Sequence, residues 1–331
     1  VADLISPFEL KQANSRKAVL LIHGLTDSPF TYHDLAQVYY QQGYTVRTIL
    51  LPGHGTAPAA LRDIDADDWQ KASVYAIERT LKDFDQVILG GYSTGAALVI
   101  DYLTQGPVDN KITAAMLFSP ASEPHNKNGW LAKWVDAIPF VNWIDKDADL
   151  DFAKYESFPF SAASASHEAM SRISLDELRH RQLPNVAIFS TFSDVDTTID
   201  NQATFKILTK LHDPKTRKNN QLDRLVYYGD DKNIPASFPA DYQIIRDDCD
   251  TDDCKKIKGM SHIGIVNKPS NPYYGRTALY RNCGSYLDDD TLYTACKYQK
   301  DVVMGERTAE NLQAHKPFAR LTFNPYFDKL A

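Results

Sequence analysis

With 331 residues, of which 43% are hydrophobic and 24% charged, the chain has apolar material for a large core. Its length suits one α/β core carrying an inserted cap, with no linker between separate domains. A net charge of −7 and the lack of any Lys/Arg block argue against nucleic acid or an anionic membrane surface as the main partner, and no apolar run reaches the ~18 residues that span a bilayer. The start, VADLISPFEL, has no initiating Met, basic stretch or apolar leader, as expected of a processed mature protein or a trimmed chain.

In chain order, residues 17–22 form a continuous apolar strand, the pattern of a sheet covered on both faces, and end in the polar loop His23-Gly24-Leu25-Thr26-Asp27-Ser28-Pro29. Loops directly after buried strands are where α/β sheets place ligands. A helix is predicted over 31–42, a strand over 44–50, and a loop over Leu51-Pro52-Gly53-His54-Gly55-Thr56. A helix capped by Asp65 carries Trp69, Ala72, Ser73, Ala76, Ile77, Thr80 and Leu81 at three- and four-residue spacing, so one face packs on a sheet. Val87-Ile88-Leu89 reads as the next strand, and strands follow at 112–118, 186–192 and 224–228. Strands alternating with helices give a mainly parallel sheet with right-handed crossovers.

The alternation breaks between Ser119 and Pro184, about 65 residues, too long for a loop and therefore an insertion. The division expected is a first core segment over 1–118, a cap or lid over 119–184, and a second core segment over 185–331 that bears the cysteines. Trp130, Leu131, Trp134, Val135 and Ile138 make one helical stripe in the insertion. They either pack permanently on the sheet edge or form a lid that lines a substrate pocket through Trp130, Trp134 and Ile138 and touches lipid transiently. Asp145, Asp147, Asp149 and Asp151 with Glu156 imitate a calcium loop, but Leu150 stands where such a loop needs glycine; a solvated acidic turn is expected, and no metal.

The four cysteines lie in the last third. Of three pairings, the short loop between Cys249 and Cys254 favours 249 with 254 and 283 with 296. Disulfides would place the protein in the periplasm or outside the cell. Free thiols in a cytosolic enzyme and a four-cysteine zinc site are the alternatives, the latter disfavoured because no C-x-x-C knuckle is present.

Between the strand at 87–89 and the apolar run from Ala96 to Leu103 sits Gly91-Tyr92-Ser93-Thr94-Gly95, a G-x-S-x-G pentapeptide at a strand-to-helix turn. Such an elbow holds a serine hydroxyl at a helix N-terminus, where the dipole favours developing negative charge. Serine is a poor nucleophile without a base that is itself held by a carboxylate. Among nine histidines, His262 in Gly259-Met260-Ser261-His262-Ile263-Gly264 follows the last expected strand, and Asp194 and Asp196 follow the strand at 186–192. Serine, acid and histidine thus occur in the order this elbow requires.

The segments HGLTDSPF (23–30), GYTVRTILLPGHGT (43–56), GYSTGAA (91–97), DTTI (196–199) and SHIGI (261–265) resemble the α/β-hydrolase carboxylesterases of the monoacylglycerol-lipase type. The resemblance is close over 17–118, resumes over 186–200 and around His262, and is thin elsewhere. It implies an α/β-hydrolase fold whose eight-stranded sheet is complete or short of its first strand or two, since sixteen residues precede Lys17. It also implies hydrolysis of small-molecule or lipid carboxylic esters with no metal or organic cofactor. Residue by residue, Ser93 is implied as nucleophile, His262 as general acid/base, Asp196 as the acid orienting it, and the backbone N–H groups of Leu25 and Thr94 as oxyanion donors. Asp196-Thr197-Thr198-Ile199 fits the family's pattern after its acid, and Asp194 does not. His23 and His54 are expected to brace their loops. Thr94 replaces a frequent Met and makes the pocket wall more polar, against a simple long-chain lipid preference. An acyltransferase or thioesterase on the same three residues, or a non-catalytic binding protein on this scaffold, are the alternatives.

Overall fold

The structure is a computed structural model that describes residues 1–125, 143–145, 151–215, 217–218, 220–246, 256–278 and 280–330. In chain order the strands are β1 (Glu9–Leu10), β2 (Lys17–Ile22), β3 (Thr45–Ile49), β4 (Gln86–Tyr92), β5 (Ile112–Phe118), β6 (Trp143–Asp145), β7 (Phe158–Pro159), β8 (Ala187–Ser193), β9 (Arg224–Tyr228), β10 (Gln243–Arg246), β11 (Ile257–Lys258), β12 (Val303–Gly305) and β13 (Phe318–Arg320). Eight form the main sheet in the order β1-β3-β2-β4-β5-β8-β9-β10. β1 pairs antiparallel with β3 and every other pairing in this sheet is parallel. The sheet is therefore eight-stranded, with the two-residue β1 as the one strand before Lys17.

β2 shows why an unbroken apolar run belongs in this sheet. Successive side chains point to opposite faces, so Leu20 and Ile22 enter one core cluster while Val19 and Leu21 enter the other. The first cluster takes in Trp69 and Ile77 from the helix Ala66–Asp83 and Ile100 and Leu103 from the helix Thr94–Thr104. Asp65 starts the former helix with a reciprocal cap: its carboxylate accepts from Asp68 N at 2.9 Å, and Asp68 accepts from Asp65 N at 3.3 Å.

The second face is covered in part by the end of the chain: Met260, Ile265, Leu321, Phe323 and Phe327 join Val46, Tyr92 and Phe118 in one cluster. Next to them β11, β12 and β13 make a parallel three-stranded sheet in that order. In the inserted stretch the helix Phe160–Arg172 lies against Thr94–Thr104, with Ala162 and Ala165 in the first core cluster. Trp130, Trp134 and Ile138 lie outside the described residues, as do Asp147, Asp149 and Leu150 of the acidic pattern.

The end of that pattern departs from the expected solvated turn. Asp151 is buried, with Tyr274 Oη 2.8 Å from both carboxylate oxygens, and burial pushes its carboxyl up to about 6. Glu156 accepts from Tyr280 Oη at 3.0 Å. These acids are committed to an aromatic cluster of Phe30, Tyr274 and Tyr280.

Candidate active site

The turn between β4 and the helix Thr94–Thr104 places Ser93 at φ 53° and ψ −117°, a left-handed backbone that costs a non-glycine residue about 1–3 kcal/mol. The flanking glycines are required by contact. A Cβ on Gly91 would meet the Gly95 carbonyl at 2.4 Å, and one on Gly95 would stand 2.0 Å from the Ile22 carbonyl oxygen. The pentapeptide is thus the sequence that lets β4 reverse into a helix pressed against the end of β2, leaving the serine side chain at the helix N-terminus.

His262 opens a short turn after β11 and faces the serine: Nε2 lies 3.0 Å from Ser93 Oγ and Nδ1 lies 2.6 Å from Asp196 Oδ2. Asp196 is buried, and its second oxygen accepts from Thr198 N at 2.7 Å and Ile199 N at 3.1 Å. Burial alone would raise this carboxyl. The His262 ring and the two N–H groups outweigh it and hold Asp196 below the ordinary carboxylate range. An ionised carboxylate only accepts, so Nδ1 carries the ring proton and Nε2 is left to accept from the serine hydroxyl. The ring position is fixed further by Tyr92 Oη, which donates to His262 O at 3.0 Å.

Asp194 is turned elsewhere. Its Oδ2 accepts from Asp230 N and Asn233 Nδ2, both at 3.0 Å, and its carboxyl presses on Gly229. The segment after β8 is a turn and not an extended strand, so two aspartates two residues apart serve different loops.

Leu25 follows Gly24, where an added Cβ would stand 3.0 Å from Ser93 Cβ, so this loop passes directly beside the serine. Thr94 is the first residue of the helix, and its hydroxyl lies 3.4 Å from Ser166 Oγ on the helix Phe160–Arg172. His23 accepts from Leu51 N at Nε2 (3.0 Å) and meets Gly24 O at Nδ1 (2.8 Å). His54 accepts from Thr26 N at Nε2 (3.1 Å) and meets Pro52 O at Nδ1 (3.0 Å). Burial lowers His23 to about 4, and burial with the neighbouring His23 lowers His54 to about 3, so both are neutral struts between the two loops at pH 7.

Sequence reasoning missed the residues that fasten this loop pair from the insertion. Lys154 Nζ pairs with the buried Asp27 at 3.0 Å, Tyr155 N donates to Thr26 O at 2.7 Å, and Tyr155 Oη accepts from Thr56 N at 2.7 Å. It also missed Glu306 and Arg320, whose partners lie too far along the chain for any local pattern to show. Cys283 and Cys296 form a disulfide, which leaves no set of four thiolates for zinc; Cys249 and Cys254 lie outside the described residues. Among the described residues no group of three His, Cys, Asp or Glu is placed to hold a metal ion, and no helix is long and apolar enough to cross a membrane.

A family profile described as serine aminopeptidase, S33, matches residues 13–211, more than half of the chain. The chain belongs to the serine aminopeptidase S33 family. The chain is 33% identical over 130 residues to a thermostable monoacylglycerol lipase of Bacillus sp. (strain H-257), a match that spans 38% of this chain and 51% of that protein. The chain thus spans about half the length of the curated relative it matches. Among solved structures, a soluble variant of monoglyceride lipase from Saccharomyces cerevisiae aligns with a TM-score of 0.55 at 17% identity, over 67% of this chain and 80% of that one. A structure described with the metagenome-derived lipolytic enzymes LipS and LipT aligns with a TM-score of 0.54 at 20% identity, over 68% and 87% of the two chains. At these identities the structural likenesses establish the α/β-hydrolase fold for this S33 member.

Proposed function

We propose that the protein is a serine carboxylic-ester hydrolase in which Ser93 is the nucleophile, His262 the general acid/base and Asp196 the carboxylate that orients and charges the base. The observation that carries this reading is the hydrogen-bonded line from Asp196 through His262 to Ser93, at 2.6 and 3.0 Å. A line of this kind lets His262 take the serine proton as Ser93 attacks the ester carbonyl, return it to the leaving alcohol, and then activate water against the acyl-enzyme. The backbone N–H groups of Leu25 and Thr94 are assigned to the oxyanion, each lowering the barrier by about 3 kcal/mol.

Lipid esters of the monoacylglycerol type are the proposed substrates, supported by the lipase named among the relatives. Thr94, whose hydroxyl lies 3.4 Å from Ser166 Oγ, is proposed to make the surroundings of Ser93 more polar and so to favour short or polar-substituted acyl groups among such esters. The insertion is proposed as a cap beside the elbow, on the ground that its helix Phe160–Arg172 lies against Thr94–Thr104. The disulfide supports an oxidising compartment, periplasmic or secreted.

The experiment is turnover of p-nitrophenyl esters of graded chain length, monoacylglycerols and aminoacyl p-nitroanilides by the wild type and Ser93→Ala. Ester turnover that Ser93→Ala removes supports the reading. Turnover of the anilides in preference to all esters would replace it with a peptidase.

A further inference from the structure

We propose that Glu306 and Arg320, a buried ion pair beside the C-terminal three-stranded sheet, are positioning residues that hold the main chain of His262 in register with the loop bearing Asp196. The proposal rests on the reading of Ser93, His262 and Asp196 given above and extends it to residues beyond the stretch matched by the family profile.

Glu306 follows β12 and is fully buried. One oxygen accepts from His262 N at 3.0 Å and from Arg320 Nη2 at 3.0 Å. The other accepts from Thr197 Oγ1 at 3.1 Å, Arg320 Nε at 2.8 Å and Arg307 N at 2.8 Å. One carboxylate therefore grips the backbone of the base and the residue directly after the acid. Arg320 closes the circuit, because its Nη2 also donates to Thr198 Oγ1 at 2.9 Å. Asp196 Oδ1 accepts from the main chain of that same Thr198. The arginine is anchored in turn: Arg320 N donates to Asn282 O at 2.9 Å, next to the disulfide-bonded Cys283.

Two arguments assign this pair to geometry. A buried ion pair is weak as a source of stability, since an apolar pair of similar volume often does as well, so its placement between two loops points to orientation. The base also sits on a short turn with no long element of its own, and displacement of a reacting group by about 1 Å costs on the order of 10²-fold in rate. Glu306 supplies a fixed point at His262 N, beside the one that Tyr92 Oη gives at His262 O.

Among the described residues the charged and titratable groups in contact with His262 are Asp196 after β8, Glu306 after β12 and Tyr92 on β4, and Arg320 on β13 lies behind them, paired with Glu306. Removing one member of the pair leaves the other unbalanced beside the base, which gives a readout that a purely structural role would not move. In the full chain, Glu306→Gln is expected to lower kcat by about tenfold or more with KM within about twofold, and to shift the acid limb of kcat/KM to lower pH. Arg320→Met is expected to shift that limb to higher pH. Because either change also strips a buried charge of its partner and so weakens folding, Glu306→Asp is the companion variant: it keeps the charge and the arginine but draws the carboxylate away from His262 N, and a lowered kcat at near-wild-type Tm is expected. Folded Glu306→Gln and Glu306→Asp proteins with wild-type kcat and an unmoved limb overturn the proposal. Ser93→Ala separates the two levels: if it stays active, the assignment of Ser93 has failed. If it is inactive while both Glu306 variants behave as wild type, only the positioning role has failed.

Discussion

Replacing Asp196 by asparagine tests the proposed chemistry most sharply, because Asp194 two residues earlier is an internal control. In wild type the Asp196 carboxylate is buried and 2.6 Å from His262 Nδ1. When the imidazolium forms, the two charges are about 4 Å apart, which at an effective dielectric near 20 is worth about 4 kcal/mol. At 1.36 kcal/mol per tenfold that is about 10³ in rate. Asparagine also turns an N–H₂ toward Nδ1 or forces the other tautomer, and the combined loss in such replacements is about 10⁴ in kcat. Asp194→Asn loses charge on a carboxylate that meets only the loop after β9, at Asp230 and Asn233, and should cost less than about tenfold. The assay is kcat for a short p-nitrophenyl ester at fixed pH, with Tm recorded for both variants. A larger loss for Asp194→Asn than for Asp196→Asn would refute the assignment of the acid.

Three further predictions follow from the same contacts. Gly95→Ala, whose Cβ would stand 2.0 Å from the Ile22 carbonyl oxygen, should push the elbow from β2 and abolish labelling of Ser93 by a fluorophosphonate; normal labelling refutes the close-contact account of the pentapeptide. His23 and His54 are neutral in the fold, so the stability they represent is present above their unfolded pKa of about 6.5 and is lost as pH falls toward 4, on the order of 3 kcal/mol for His23. Asp151, raised to about 6, works in the opposite sense; the readout is therefore the difference in Tm–pH slope between wild type and His23→Gln, which should be flatter between pH 6.5 and 4. Removing the Cys283–Cys296 bond with paired serines should lower stability by about 3 kcal/mol in a urea titration, and an unchanged midpoint would show that the bond is dispensable.

What was legible in the sequence is what local chemistry dictates. The elbow can be read because each glycine answers a contact within the turn or with the strand beside it, and the alternating faces of β2 can be read because burial on both sides leaves an unbroken apolar run. The acid was harder. Residues two apart share a direction only in an extended chain, and the backbone after β8 turns instead, sending Asp194 to β9's loop and Asp196 to His262; the resemblance to a family, not periodicity, chose between them. Short elements such as β1, β10 and the three strands of the second sheet hold two to four residues each, too few to show any alternation.

The C-terminal third shows the limit most clearly. Its cysteines advertise a disulfide, which is local, but its larger contribution is not local at all. Met260, Ile265, Leu321, Phe323 and Phe327 complete the core behind β4 and β5, and Glu306 reaches back to the main chain of His262 and to Thr197 beside Asp196. The family match ends at residue 211, short of His262. On the proposed mechanism the nucleophile and its acid therefore lie within the segment that the family profile matches, whereas the proton-transferring group is presented from beyond it. Variants at Glu306 and Arg320 are therefore expected to move the pH limb and kcat while leaving the backbone of the Ser93 turn, set by Gly91 and Gly95, in place.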